Sequence, residues 1–132
     1  MFETKSEKML LLVDFPDSAL TLTPKELKII AEHVDMVLIG NIHSVPKEYL
    51  DYIGCEYHKI EANRPSQESL TVWRDRIMRI LSEKQGYDEV VFVSPHFWKA
   101  RAVSATHVKF RHSYYLRRLV NEIIFKTSLE TR

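Results

Sequence analysis

The sequence predicts an α/β fold: a three-layer sandwich with a mostly parallel sheet of about five strands and helices on both faces. Apolar runs of strand length alternate along the chain with stretches of helical periodicity, the pattern of parallel strands joined by crossover helices. Two runs, around residues 9–14 and 90–94, are almost wholly apolar, as strands buried on both faces are. Right-handed crossovers then favour the strand order 3-2-1-4-5.

The strands are predicted from hydrophobic pattern. The first, over residues 8–14, and the fourth, over 88–94, have unbroken apolar centres and should be central neighbours. The second, over 35–40, is a short apolar run that ends in glycine. The third, over 56–62, and the fifth, over 106–112, alternate apolar and polar residues, which predicts edge strands with one solvated face.

The helices are predicted from their caps. Thr23 and Glu26 form a capping box at the start of the first helix, and Pro24 suits its first position. Ser66 caps the longest helix, which is expected to end at Gly86. The remaining helices are predicted over residues 44–53 and 97–103 and after Ser113.

Length and composition fit a single globular domain spanning residues 1–132. Of the 132 residues, 45% are hydrophobic and 28% are charged, and no apolar run approaches the roughly 20 residues that span a bilayer. We therefore expect no membrane partner. The charged start of the chain does not resemble a signal peptide, so a cytoplasmic protein is expected. The single cysteine, Cys55, excludes an internal disulfide and a cysteine-based zinc site.

Polar side chains gather where the first and fourth predicted strands end. Asp14 closes the first strand and Asp17 follows it, while Ser94 closes the fourth strand and His96 follows that one. In open α/β sheets, ligands bind at the carboxyl ends of strands where the strand order reverses, which here lies between these two strands. The sequence therefore predicts the functional site at this edge of the sheet.

Three short segments in this order resemble strand ends of the PIN-like nuclease superfamily, especially its NYN-like branch. They are Leu12–Phe15, Val37–Asn41 and Val90–Ser94, and the resemblance spans most of residues 8–110. It implies a site in which several carboxylates hold Mg²⁺ or Mn²⁺ for phosphodiester hydrolysis. In that comparison Asp14 matches the first metal-binding acid.

Two acids that the resemblance implies are missing. Thr71 stands where the helix after the third strand would supply one, and His96 stands where the turn after the fourth strand would supply another. Asp17 and Glu68 could replace them. The candidate catalytic residues are Asp14, Asp17, Glu68 and His96. The resemblance thus implies a degenerate member that does not cleave and needs no cofactor. The alternative is an active metal-dependent endoribonuclease that uses Asp14, Asp17 and Glu68, with Mg²⁺ or Mn²⁺ held by Asp14.

Each candidate also has an ordinary structural explanation. Asp14 could cap the next turn, and Asp17 suits the turn sequence in which it lies. Glu68, in a first helical turn, complements the helix dipole. His96 could act as an acid or base with Ser94 as a nucleophile, or it could be a hydrogen-bonded structural histidine.

Basic residues concentrate in the last part of the chain. The net charge is −5 over residues 1–94 and +6 over residues 95–132. This asymmetry suggests an anionic partner such as nucleic acid, although a solvated face would have the same composition. For the PIN-like interpretation we expect RNA rather than DNA. The candidate nucleic-acid contacts are Trp98, Lys99, Arg101, Lys109, Arg111, Arg117 and Arg118.

A protein partner is the third hypothesis. The last predicted helix has more apolar residues than one buried stripe needs, which suggests an adaptor or a homodimer through this helix. Its apolar residues are Tyr114, Tyr115, Leu116, Leu119, Val120, Ile123, Ile124 and Phe125.

Overall fold

A computed structural model describes residues 8–62 and 64–130, with side chains through residue 123. Five strands form one sheet. They are β1 (Met9–Asp14), β2 (Asp35–Gly40), β3 (Glu56–Lys59), β4 (Glu89–Val93) and β5 (Arg111–Ser113). Every neighbouring pair is parallel, and the order is β3-β2-β1-β4-β5. The predicted fold class and strand order are confirmed.

Five α-helices connect and follow these strands. They are α1 (Pro24–His33), α2 (Lys47–Ile53), α3 (Gln67–Glu83), α4 (Phe97–Ser104) and α5 (Arg117–Glu130). Two short 3-10 helices, Asp17–Ala19 and Ile42–Ser44, follow β1 and β2. None of the helices in the described part of the chain is long and apolar enough to cross a bilayer.

The core has two halves because the central strand is buried on both faces. Along β1, Leu11 and Val13 point to one face, and Leu10 and Leu12 point to the other. The first set packs with buried residues of α1, α2 and α5, and the second packs with buried residues of α3 and α4. The three layers follow from this alternation.

The predicted helix caps are present at α1 and α3. The Thr23 side chain accepts from the Glu26 backbone amide, and the Glu26 carboxylate accepts from the Thr23 amide. Ser66 accepts from the amide of Ser69. The prediction that Gly86 ends α3 is wrong, because the helix ends at Glu83 and Gly86 lies in the loop before β4.

Three predicted boundaries also shift. The expected strand over 106–112 is reduced to β5, since α4 runs to Ser104 and His107 turns the chain with a φ of 62°. Ser113 does not cap the last helix, because it is the last residue of β5 and its carbonyl accepts from the amide of Ser94. α2 begins at Lys47, since Ile42–Ser44 forms its own 3-10 turn.

The last helix packs into the core along one stripe. Leu116, just before α5, is buried together with Leu119 and Ile123. The side chains of Ile124 and Phe125 lie outside the described residues. A homodimer through this helix therefore stays a prediction.

One ion pair joins α5 to the start of α1. Arg117 donates to both carboxylate oxygens of Glu26, at 2.8 and 3.2 Å, and also to the carbonyl of Thr21 at 2.7 Å. The hydrogen bonds from Arg117 and from the Thr23 amide lower the pKa of Glu26 to about 2. Arg117 therefore has a structural task at this position.

We predict that Glu26→Gln weakens the acid dependence of stability. A carboxyl whose pKa is lowered by folding stabilises the protein above its ordinary pKa, and this contribution is lost as the pH falls towards about 2. Urea unfolding at a series of pH values should show the variant less stable at neutral pH and equal to wild type near pH 2. Glu32→Gln, which removes a carboxylate 3.9 Å from Lys28, is the control and should have little effect. A pH-independent difference for Glu26→Gln would contradict the prediction.

Candidate functional site at the carboxyl edge of the sheet

Asp14 lies at the carboxyl end of the central strand and is almost fully buried. It closes β1 between β2 and β4, and only 1% of its surface is exposed. The strand order reverses at this point, because the chain proceeds from β1 to β2 on one side and reaches β4 on the other. The predicted position of the site is where the fold brings its polar side chains together.

Lys99 is the main partner of Asp14. Its ammonium lies 3.0 Å from each of the two carboxylate oxygens, and Lys99 is itself only 3% exposed. The Ser94 hydroxyl also donates to Oδ2 of Asp14, at 2.7 Å. The carboxylate therefore accepts three short hydrogen bonds, two of them from a cation.

Two indole rings complete the surroundings of the Lys99 ammonium. Its nitrogen lies 4.5 Å from the centre of the Trp73 ring and 5.4 Å from that of Trp98. These rings pack edge to face with centres 6.1 Å apart. Aromatic faces attract a cation, and the attraction grows where water is excluded. The positive charge is thus held by one carboxylate and two aromatic rings.

Burial and the hydrogen-bond partners shift the pKa of Asp14 in opposite directions. Removal of the carboxyl from water raises its pKa, and the charge of Asp17 adds to that effect. The positive charge of Lys99 and the hydrogen bonds from Ser94 and Lys99 lower it, and burial prevails, so the pKa is above its ordinary value. The carboxylate depends on Lys99 for most of the compensation of its burial.

Backbone geometry fixes the surroundings of Asp14. The Ser18 hydroxyl donates to the Asp14 carbonyl at 2.7 Å, and the His96 amide donates to the Ser94 hydroxyl at 3.0 Å. Gly40, at the end of β2, has a φ of 137°, and a Cβ there would lie 2.8 Å from the Phe15 carbonyl oxygen and 3.1 Å from Oδ1 of Asp14. The close approach of β2 to this site requires glycine.

Asp17 and His96 form a second, more accessible pair beside Asp14. His96 Nε2 lies 2.8 Å from Oδ2 of Asp17, and both side chains are a little over two-fifths exposed. Ligand atoms of Asp14, Asp17 and His96 all lie within 4.8 Å of one another. The structure therefore brings together three of the four predicted catalytic residues.

Glu68 lies apart from these three residues. It is exposed in the first turn of α3, and it is not in the cluster of ligand atoms found among the described residues. The Thr71 hydroxyl, at the position where an acid was implied, donates to the Gln67 carbonyl of its own helix. α3 thus contributes no carboxylate to the described cluster.

These donors do not fit a nuclease-type magnesium centre. Mg²⁺ demands near-octahedral oxygen ligands, whereas this cluster has one imidazole and two carboxylates. Both oxygens of Asp14 already bind the ammonium of Lys99, and one also binds Ser94. An ammonium thus lies directly in front of the carboxylate that the resemblance assigns to a metal.

The predicted nucleic-acid contacts are divided between four environments. The prediction that Lys99 is a surface contact is wrong, because this side chain is buried against Asp14. Trp98 is half-buried and packs against Trp73. Arg111 is held between Glu89 and Glu122, and Arg117 is held by Glu26. Among the predicted contacts, those that are exposed and have no ion pair within the described part of the chain are Arg101, Lys109 and Arg118.

The structure also reveals functional candidates that the sequence reasoning missed. The side chain of Lys99 shares the buried face of α4 with Ala102 and Val103, and this spacing of three and four residues was the available signal. Phe97, at the start of α4, is 66% exposed although its neighbour Trp98 is half-buried. The α-helical periodicity of residues 97–103 would have assigned Lys99 to the buried face of this helix and Phe97 to its exposed face.

Comparison of the chain with protein-family models, with curated proteins and with solved structures finds no significant match. The geometry of the site is therefore the basis of the functional proposal.

We predict strong coupling between Asp14 and Lys99 in stability. Lys99→Met leaves a buried carboxylate without its cation, and loss of one partner of a buried ion pair typically costs about 3–5 kcal/mol. Adding Asp14→Asn to that variant should recover a large part of the loss. Urea unfolding of wild type, both single variants and the double variant gives the coupling energy. Simple additivity of the two single losses would contradict the ion pair.

We further predict that Gly40→Ala is more damaging than Gly86→Ala. Both glycines have a positive φ, but a Cβ at Gly86 meets nothing within 4 Å, whereas one at Gly40 meets the backbone of Phe15. Both variants have a conformational cost from the positive φ, and the steric conflict should add roughly 1–3 kcal/mol at Gly40. Thermal or urea unfolding measures the difference. Equal losses would show that the close approach to Asp14 imposes no constraint.

Proposed function

We propose that this protein is a non-catalytic PIN-like domain that binds single-stranded nucleic acid, with RNA favoured over DNA. The observation that supports the loss of catalysis is the Lys99 ammonium, 3.0 Å from both oxygens of Asp14. The strand order and the position of Asp14 agree with the PIN-like resemblance. In this proposal the fold resembles that of a nuclease, but the cation beside Asp14 is the ammonium of Lys99 and not a metal ion.

A fixed ammonium differs from a metal ion in what it can do. A divalent metal lowers the pKa of a bound water and so generates a nucleophile at neutral pH, and it also binds the phosphoryl oxygens. The Lys99 ammonium has two of its three hydrogens directed at Asp14 and is shielded by Trp73 and Trp98. It neutralises Asp14, but it activates no water.

The surface cations support an anionic ligand. Arg101, Lys109 and Arg118 are exposed, and no carboxylate in the described part of the chain pairs with them. They belong to the segment 95–132, whose net charge is +6. Contacts from such side chains to phosphates give an affinity that falls steeply with salt and reads no base sequence.

An active metal-dependent endoribonuclease is the second candidate. One observation favours it: ligand atoms of Asp14, Asp17 and His96 lie within 4.8 Å of one another. In that case Asp17 and His96 would hold the metal, with Asp14 beside them and Glu68 not in the described cluster. The chemistry supplied by the metal would be activation of water and stabilisation of charge on the phosphate.

We predict that the purified protein binds labelled single-stranded RNA in a salt-dependent manner and leaves it intact with Mg²⁺ or Mn²⁺. Fluorescence anisotropy measures the binding, and gel electrophoresis of the same RNA measures cleavage. Lack of binding to RNA and DNA at low salt would refute the nucleic-acid part of the proposal. Metal-dependent cleavage that Asp17→Asn abolishes, and that Asp51→Asn on the exposed side of α2 leaves unchanged, would establish the nuclease instead.

A further inference from the structure

We infer that the single strand binds along α4, with a base stacked on Phe97 and a phosphate bound by Arg101. This inference rests on the proposed function and adds to it the position and the chemistry of the contact. It depends on the exposed ring of Phe97, on the residues that hold this ring, and on the cations that line the neighbouring groove.

Phe97 belongs to an aromatic platform made of Phe97, His112 and Tyr114. Its ring centre lies 5.9 Å from that of His112 and 5.6 Å from that of Tyr114, and these two rings are 4.8 Å apart. Although it has these neighbours, Phe97 is 66% exposed. A base can stack on any free aromatic face, and the exposed ring of Phe97 is extended by two neighbouring rings.

The platform is held in place because His112 contacts Phe92 of the buried β4 and Ser94, which follows this strand. His112 lies on β5, its Nε2 is 2.9 Å from the Ser94 carbonyl oxygen, and its ring stacks on the buried Phe92 with centres 6.1 Å apart. The exposed ring of Phe97 thus lies on a support that continues into the core. A preorganised aromatic surface loses little conformational entropy when a base stacks on it.

A cationic groove begins one helical turn from Phe97. Arg101 follows Phe97 by four residues, so the two exposed side chains share a face of α4. Arg101 also lines a cavity of about 470 Å³, whose other polar lining residues are Gln67, Thr71 and Arg74 of α3. Arg74 is paired with Asp75 on its own helix, which leaves Arg101 as the principal phosphate contact.

This combination fits a nucleic acid better than a protein helix. A base has an aromatic face for Phe97 and is linked to a phosphate for Arg101, whereas an apolar helix would leave Arg101 without a partner. The contact is independent of Asp14 and Lys99, which are buried below it. Binding therefore requires no change in the buried ion pair.

The test is fluorescence anisotropy of the full chain with a short labelled oligouridylate. Phe97→Ala should weaken binding about tenfold, which is within the range for loss of one stacked base. Phe97→Trp should keep or improve the affinity, and Phe97→Leu should behave like Phe97→Ala, since leucine has no aromatic face. Arg101→Gln should reduce the slope of log affinity against log salt by about one.

Two matched controls define the specificity of these effects. Tyr57→Ala removes a 40%-exposed ring on β3, at the opposite edge of the sheet, and Arg79→Gln removes an exposed arginine of α3. Both should bind like wild type. Thermal unfolding of each variant checks that the fold is retained, as expected for an exposed ring.

Two results separate failure of this inference from failure of the proposed function. If wild type binds and Phe97→Ala or Phe97→Leu binds equally well, the platform is not the contact, although the nucleic-acid function stands. If wild type binds neither oligouridylate nor the corresponding DNA at low salt, both proposals are overturned.

Discussion

The buried ion pair between Asp14 and Lys99 is the constraint on which the site depends. Transfer of each charge out of water costs several kcal/mol, so the pair is stable only if its geometry and its additional contacts are good. Here the carboxylate receives three hydrogen bonds and the ammonium lies against two indole rings. The pair joins β1 to α4, and Ser94 joins both to the end of β4. In this arrangement the buried charges of Asp14 and Lys99 are therefore both compensated.

The same pair determines what chemistry the edge can perform. A carboxylate at the end of a central strand is well placed for a metal, and the neighbouring Asp17 and His96 supply further ligand atoms. With Lys99 against both oxygens of Asp14, however, the negative charge is already neutralised inside the protein. What remains outside is the half-exposed pair of Asp17 and His96, the ring of Phe97 and the cations beyond it. The proposed function assigns the binding of an anionic ligand to the exposed groups of this edge.

Much of the fold could be predicted because the hydrophobic pattern of each strand indicates how deeply that strand is buried. The unbroken apolar sequences of β1 and β4 identify them as central neighbours, and the weak alternation of β3 identifies an edge strand. The position of Asp14 then follows from topology alone. The boundaries of β5 and α5 were missed, since the turn at His107 and the carbonyl contact of Ser113 depend on neighbours distant in sequence.

The contents of the site were harder to predict than its position. Lys99 was assigned to the surface because lysine is almost never buried without a partner, and the sequence does not show that Asp14 is that partner. Trp98 is predicted to be an exposed contact for a related reason, since composition alone does not say which of two adjacent aromatic residues faces Trp73. Arg111 and Arg117 appeared to be free cations, and only the fold shows their carboxylate partners.

The most direct test of the central claim is NMR observation of the Lys99 side-chain ammonium together with the carboxyl carbon of Asp14. We predict one lysine ammonium signal that exchanges slowly with water, that is absent from Lys99→Met, and that keeps its position when Mg²⁺ is added. The Asp14 carboxyl signal should be equally unaffected. A Lys99 ammonium in rapid exchange with water, or a shift of the Asp14 carboxyl on addition of Mg²⁺, would contradict it.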